Sequence, residues 1–135
     1  MAPEFDPGSQ AGEADGGHLD LEVMDQLLSL DDGELGLLEA MLVLYTEDTP
    51  DRIKAIEHTL GTGEMADMAD VAHAIKGSAG TMGAPKVRAV AAQLEGAGRQ
   101  GKWPQPPEVL LANLKQAYAD SVAALEAFVA LKKGQ

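Results

Sequence analysis

The sequence predicts an all-α fold: an antiparallel up-down-up-down four-helix bundle with an accessory N-terminal helix. Three observations lead there. Ala, Leu, Met, Glu and Lys dominate the composition, and these residues form helices readily. Apolar residues recur at steps of three and four through most of the chain. Gly- and Pro-rich breaks separate the periodic stretches by only a few residues, and short connections favour antiparallel neighbours. No stretch alternates as a strand would, and no internal repeat is present.

Residues 1–17 (MAPEFDPGSQAGEADGG) are rich in glycine, proline and acids and have no apolar period. They read as a disordered leader. Glu4-Phe5 and Gly8-Ser9 resemble dipeptides left by cloning sites, so part of the leader reads as an expression scar. The bundle domain is then assigned to residues 18–135.

Within it, residues 20–29 form a short helix with Leu21, Met24, Leu27 and Leu28 on one face, suited to lie across the bundle as a lid. Asp31-Asp32 supply the next helix start. Residues 33–60 are the longest periodic stretch, with Leu35, Leu38, Leu42, Tyr45, Thr49, Ile53, Ile56 and Leu60 in step. Pro50 interrupts it. One kinked helix is expected, because the stripe keeps its phase across the proline; the alternative is a new helix capped by Thr49. Gly61-Thr62-Gly63 ends the stretch.

Residues 64–82 carry Met65, Met68, Ala72, Ile75, Ala79 and Met82 on one face, and Gly83 and Pro85 mark a stop and restart. Residues 84–99 carry Val87, Val90, Leu94 and Ala97. A Gly/Pro-rich connection around Trp103 follows, with the tryptophan as a loop anchor. Residues 107–132 carry Leu111, Leu114, Tyr118, Val122, Leu125 and Phe128 and finish in Lys132-Lys133-Gly134, which suits a helix end.

Composition narrows the function. The 135 residues fit one domain. The formal charge is −12 and the isoelectric point about 4.4. Without the leader, 18 acids still stand against 10 bases. Such a surface repels phosphate backbones and anionic lipids, so neither nucleic acid nor membrane is an expected partner. No run approaches the roughly 18 apolar residues of a membrane span. The chain has no cysteine, which removes disulfides, thiolate metal sites and thiol nucleophiles. A cytoplasmic monomer is expected.

The chemistry concentrates at His73. On a helical wheel it lies well away from the apolar stripe of residues 64–83, towards solvent. Its wheel neighbours are Ala66, Ala69, Asp70, Lys76, Gly77 and Gly80, four of them Ala or Gly. Glycine inside a helix costs about 0.5–1 kcal/mol relative to alanine. Its use here is to let a large visitor approach the backbone beside the imidazole. Lys76 follows by one turn, close enough for its ammonium to meet a dianion on the ring. Arg88 and Lys86 add positive charge from the next helix. Glu95 stands at a helix–helix groove, placed to orient the ring through its second nitrogen. A metal pair of His73 and Asp70 lacks further ligands, so no metal is expected; His18 and His58 read as ordinary surface or core residues.

The run His73-Ala74-Ile75-Lys76-Gly77-Ser78-Ala79-Gly80 resembles the signature of histidine-containing phosphotransfer (HPt) domains. Met82-Gly83, Leu94-Glu95 and the upstream Tyr45-Thr46-Glu47-Asp48-Thr49-Pro50 are similar to further positions of that family, and the likeness spans roughly residues 20–130. The resemblance implies a two-component phosphorelay protein whose exposed histidine accepts a phosphoryl group on a ring nitrogen. It would exchange that group with an aspartate of a response-regulator receiver domain, itself fed by a hybrid sensor histidine kinase. His73 matches the phosphorylated residue, Lys76 the nearby cation and Glu95 the imidazole partner. Gly77 matches the clearance for the receiver, and the wheel neighbours Ala69 and Gly80, with Arg88 from the next helix, complete the expected docking face. The domain would carry no cofactor and no kinase activity of its own, and Mg²⁺ would arrive on the receiver. Two positions depart from the pattern: Glu95 stands where glutamine is also common, and Ala91 where cysteine often stands. Two rivals remain: the phosphoacceptor module of a chemotaxis-type histidine kinase, and a structural adaptor bundle in which His73 is never phosphorylated.

Overall fold

In the computed structural model, residues 16–135 are described. The leader assigned to residues 1–17 therefore lies almost entirely outside the described residues, Gly16 and Gly17 forming part of a turn. Five helices follow: α1 (Leu21–Leu30), α2 (Gly36–Thr62), α3 (Met65–Met82), α4 (Pro85–Gln100) and α5 (Pro107–Lys133). There is no strand among the described residues.

The helix ends follow the local chemistry. Asp20 caps α1, its carboxylate accepting the N–H groups of Glu22 and Val23. Helices α2, α3 and α4 each end at a glycine with positive φ: Gly63, Gly83 and Gly101. Pro85 and Pro107 occupy first-turn positions of α4 and α5, where no backbone N–H is needed. The start of α2 differs from expectation. Asp31 and Asp32 lie in the preceding turn, and the helix opens at Gly36. Asp31 nevertheless serves it from six residues away, its Oδ2 accepting the Leu37 N–H at 2.9 Å.

Helices α2 to α5 form the bundle, and cross-helix pairs fix their directions. Between α2 and α5 the pairs Glu39–Lys133, Tyr45–Ser121 and Glu57–Lys115 run in opposite sense, so these helices are antiparallel. The pairs His73–Glu95 and Asp70–Arg99 show the same for α3 and α4. Helix α1 lies over the end where α3 turns into α4. The Asp20 N–H donates to the Gly83 carbonyl at 2.8 Å, and a Cβ on Gly83 would sit 3.0 Å from Cβ of Val23. Leu19 and Met24 are fully buried by this docking.

One core fills the bundle. Leu38, Ile56, Met68, Ile75, Val87, Leu94, Leu110, Leu114 and Leu125 are all at 0% exposure. Helix α2 runs through Pro50 as a single element, with Tyr45, Thr49, Ile53 and Ile56 buried on both sides of it. In α5 the buried line is Leu110, Leu114, Ala117, Ser121, Leu125 and Val129; it keeps Leu114 and Leu125 of the expected stripe and lies one position from it at the other four. Leu111, Tyr118, Val122 and Phe128 flank that line and close its edges. Small residues take the centre because Tyr45 inserts there from α2. Its hydroxyl lies 2.8 Å from Ser121 Oγ, which in turn donates to the Tyr118 carbonyl. The serine proton is thus committed, so Tyr45 is the donor to Ser121. Burial pushes the Tyr45 phenol up to about 12, keeping it protonated. Trp103 packs partly buried against the core from the α4–α5 connection. In α4, Ala91 is buried and Val90 only half-buried.

Candidate functional site

The site begins with how closely α3 and α4 approach. A Cβ on Gly98 would lie 2.7 Å from the Met65 carbonyl oxygen and 2.9 Å from Ala69 Cβ, so the seam accepts only glycine at that point. Ala69, Ala72, Ala91 and Ala97 are buried along the same helices. With the backbones this close, a glutamate on α4 reaches across to a histidine on α3.

Glu95 does so. Its Oε2 lies 2.9 Å from Nδ1 of His73, and its Oε1 lies 2.6 Å from Nζ of Lys76. The carboxylate is 15% exposed while the imidazole is 64% exposed. The Lys76 hydrogen bond is the largest influence on Glu95 and holds it below the ordinary carboxylate value; burial opposes this, and the His73 hydrogen bond adds to it. Glu95 is therefore ionised at neutral pH and can only accept. That assigns the proton of a neutral ring to Nδ1, as donor to Oε2, and leaves the lone pair on Nε2. An uncharged imidazole with a free outward lone pair is a nucleophile.

Lys76, the cation one turn from His73, is held by Glu95 and is 29% exposed. Gly77, one turn beyond His73, is exposed, and a Cβ there would meet nothing within 4 Å. Arg88 lies along α3 at Gly80, its Nε 3.4 Å from where a Gly80 Cβ would be. Gly80 thus seats the Arg88 side chain. Ala69 corrects an expectation. Placed on the docking face by the wheel, it is at 0% exposure in the seam against Gly98, because α4 covers that flank of α3.

Two residues escaped the sequence reading. Arg99 Nη2 lies 3.2 Å from Oδ1 of Asp70 and 3.6 Å from Oε2 of Glu95. Asp70 was legible only as a metal ligand, and Arg99 not at all. The available signal was the i, i+4 spacing of Glu95 and Arg99 on α4. The charges also segregate. Residues 71–107 hold five of the ten bases, Lys76, Lys86, Arg88, Arg99 and Lys102, and a single acid, Glu95. Beside His73 itself, Lys76 and Arg99 are balanced by Glu95 and Asp70.

The family model of the Hpt domain matches residues 40–128, two thirds of the chain. The chain belongs to the Hpt domain family. Its role is therefore histidine phosphotransfer within two-component phosphorelays. A search of curated proteins finds no match. Among solved structures, the Hpt protein is similar to histidine-containing phosphotransfer protein B from Pseudomonas aeruginosa PAO1. The TM-score is 0.73 at 21% identity, covering 87% of this chain and 96% of that one. At that identity the likeness speaks for the fold, which is the bundle with its N-terminal helix. No helix among the described residues is long and apolar enough to cross a membrane.

Proposed function

We propose that this Hpt protein accepts a phosphoryl group on Nε2 of His73 and exchanges it with the aspartate of a response-regulator receiver domain. The observation that carries this is the Glu95 contact to Nδ1, which leaves Nε2 as the free nucleophile on an exposed ring. The step balances without a further reactant. Nε2 attacks the phosphorus of an aspartyl phosphate, an N–P bond forms, and the P–O bond to the aspartate breaks. The carboxylate leaves as an anion. Nδ1 keeps its proton throughout, so the phosphorylated ring is cationic and stays paired with Glu95. The reverse step runs through the same arrangement.

The protein supplies position and field, which dominate phosphoryl transfer. The open backbone at Gly77 admits the receiver beside the ring, and Arg88 offers it a cation. In this reading Mg²⁺ comes with the receiver, a hybrid sensor histidine kinase stands upstream, and the protein works as a cytoplasmic monomer.

The test is transfer from acyl-phosphorylated receiver domains to the protein and to His73→Gln. Label should move to the wild type and not to the variant. Equal labelling of both would overturn the reading, and labelling only by a chemotaxis-type kinase core would favour that rival.

A further inference from the structure

Four charged or titratable side chains close a rectangle across the α3–α4 seam. Asp70 and His73 stand three residues apart on α3, and Glu95 and Arg99 four apart on α4. The rungs are His73–Glu95 at 2.9 Å and Asp70–Arg99 at 3.2 Å. The diagnostic distance is along α4. Arg99 Nη2 lies 3.6 Å from Glu95 Oε2, an i, i+4 ion pair without a hydrogen bond, while the same nitrogen hydrogen-bonds Asp70 Oδ1 at 3.2 Å. An arginine also prefers to grip a carboxylate through two N–H groups. Here Asp70 takes the guanidinium first, and Oε2 is left to the imidazole.

We propose that Asp70 is a positioning residue that acts through Arg99: by holding the guanidinium, it keeps Oε2 of Glu95 for Nδ1 of His73. With Asp70 neutral, Arg99 closes onto Glu95 and competes with the ring for Oε2. The Nδ1–H tautomer then loses its partner, and the fraction of rings presenting a free Nε2 falls. Asp70 is 71% exposed and buries nothing, so its role is electrostatic and not one of packing. The proposal concerns the unphosphorylated ring; its effect on transfer rests on the reading of His73 as phosphoacceptor.

Two readouts separate these claims. The first is the ¹⁵N shift pair of the His73 ring, which reports the tautomer directly in protein that has never met a receiver. Asp70→Asn should lower the Nδ1–H fraction, and Asp70→Glu should restore it. In an Arg99→Ala background, Asp70→Asn should have no effect, because its intermediary is gone. The second is the transfer rate, expected to fall roughly twofold in Asp70→Asn, the size of an exposed i, i+4 ion pair. An unchanged tautomer fraction in Asp70→Asn would overturn the proposal. So would an equal shift with and without Arg99, which would mark a direct field of Asp70 on the ring. Tautomer shifts as expected in a protein that takes up no phosphate would leave the positioning role standing and remove the phosphotransfer reading.

Discussion

Oε1 of Glu95 and Nζ of Lys76 are 2.6 Å apart, so the cation one turn beyond His73 is held by the carboxylate that also orients the ring. This coupling sets a pH dependence. Glu95 is depressed in the folded protein, first by the Lys76 hydrogen bond, from an ordinary value of 4.5. A carboxylate depressed on folding stabilises the native state above its unfolded value, and that contribution is lost as pH falls through the folded value. Stability should therefore be flat near neutrality with respect to this group and decline below 4.5. Lys76→Met brings the folded value back towards the unfolded one, so the acid decline should shrink. Thermal unfolding of both proteins between neutral pH and about pH 3 makes the comparison; identical declines would show that Lys76 does not hold Glu95.

The ring itself gives a second prediction. Glu95→Ala removes the acceptor at Nδ1 and should shift the neutral ring away from the Nδ1–H tautomer, readable in ¹⁵N shifts. Transfer should slow by roughly 10–100-fold, the usual scale for losing an orienting partner or misplacing a reacting group. Glu95→Gln should fall between, because its amide oxygen still accepts from Nδ1 but cannot hold Lys76 by charge. Wild-type transfer in Glu95→Ala would mean the ring needs no orientation by α4.

The helices were legible because their stripes step by three and four and their ends carry Gly or Pro. The phase of α5 was not: Ala117 and Ser121 take the buried line while larger Leu111 and Val122 flank it, and apolarity cannot show that Tyr45 needs room opposite. His73 and Gly77 were legible as a histidine among small residues. Ala69 was misread for the same reason, since a small residue suits a docking surface and a tight seam equally. Only Gly98, on another helix, decides between them. The Asp70–Arg99 pair was hidden because it joins residues 29 positions apart.

Thr49 offers a prediction about stability. It is at 0% exposure on α2, and its hydroxyl has no hydrogen-bond partner. It lines a largely apolar groove of about 350 Å³ between α2 and α3, with Met41, Leu44 and Met82. A buried hydroxyl left unpaired costs about 1–3 kcal/mol, and valine has nearly the same shape without it. Thr49→Val should therefore raise the unfolding free energy by about 1 kcal/mol with no change in transfer. Denaturant unfolding measures it. A loss of stability would mean that the hydroxyl is satisfied in solution.

Gly77 and Gly98 are both glycines inside helices, and they should respond in opposite ways. At Gly77 an added Cβ meets nothing within 4 Å, so Gly77→Ala should raise stability by about 0.5–1 kcal/mol, the helical preference for alanine. At Gly98 the Cβ would press on the Met65 carbonyl at 2.7 Å, which is backbone and cannot rotate away. Gly98→Ala should force α3 and α4 apart at a cost of about 1–3 kcal/mol. Separating the seam also lengthens the reach from Glu95 to His73, so this variant should lose the Nδ1–H tautomer together with stability. Gly77→Leu should do the reverse: it keeps the helix and the tautomer but fills the space a receiver needs, and transfer should collapse. Unfolding curves, ring ¹⁵N shifts and transfer rates on the three variants distinguish a seam glycine from a docking glycine. A Gly77→Leu protein that transfers normally would show that the partner does not approach over this turn of α3.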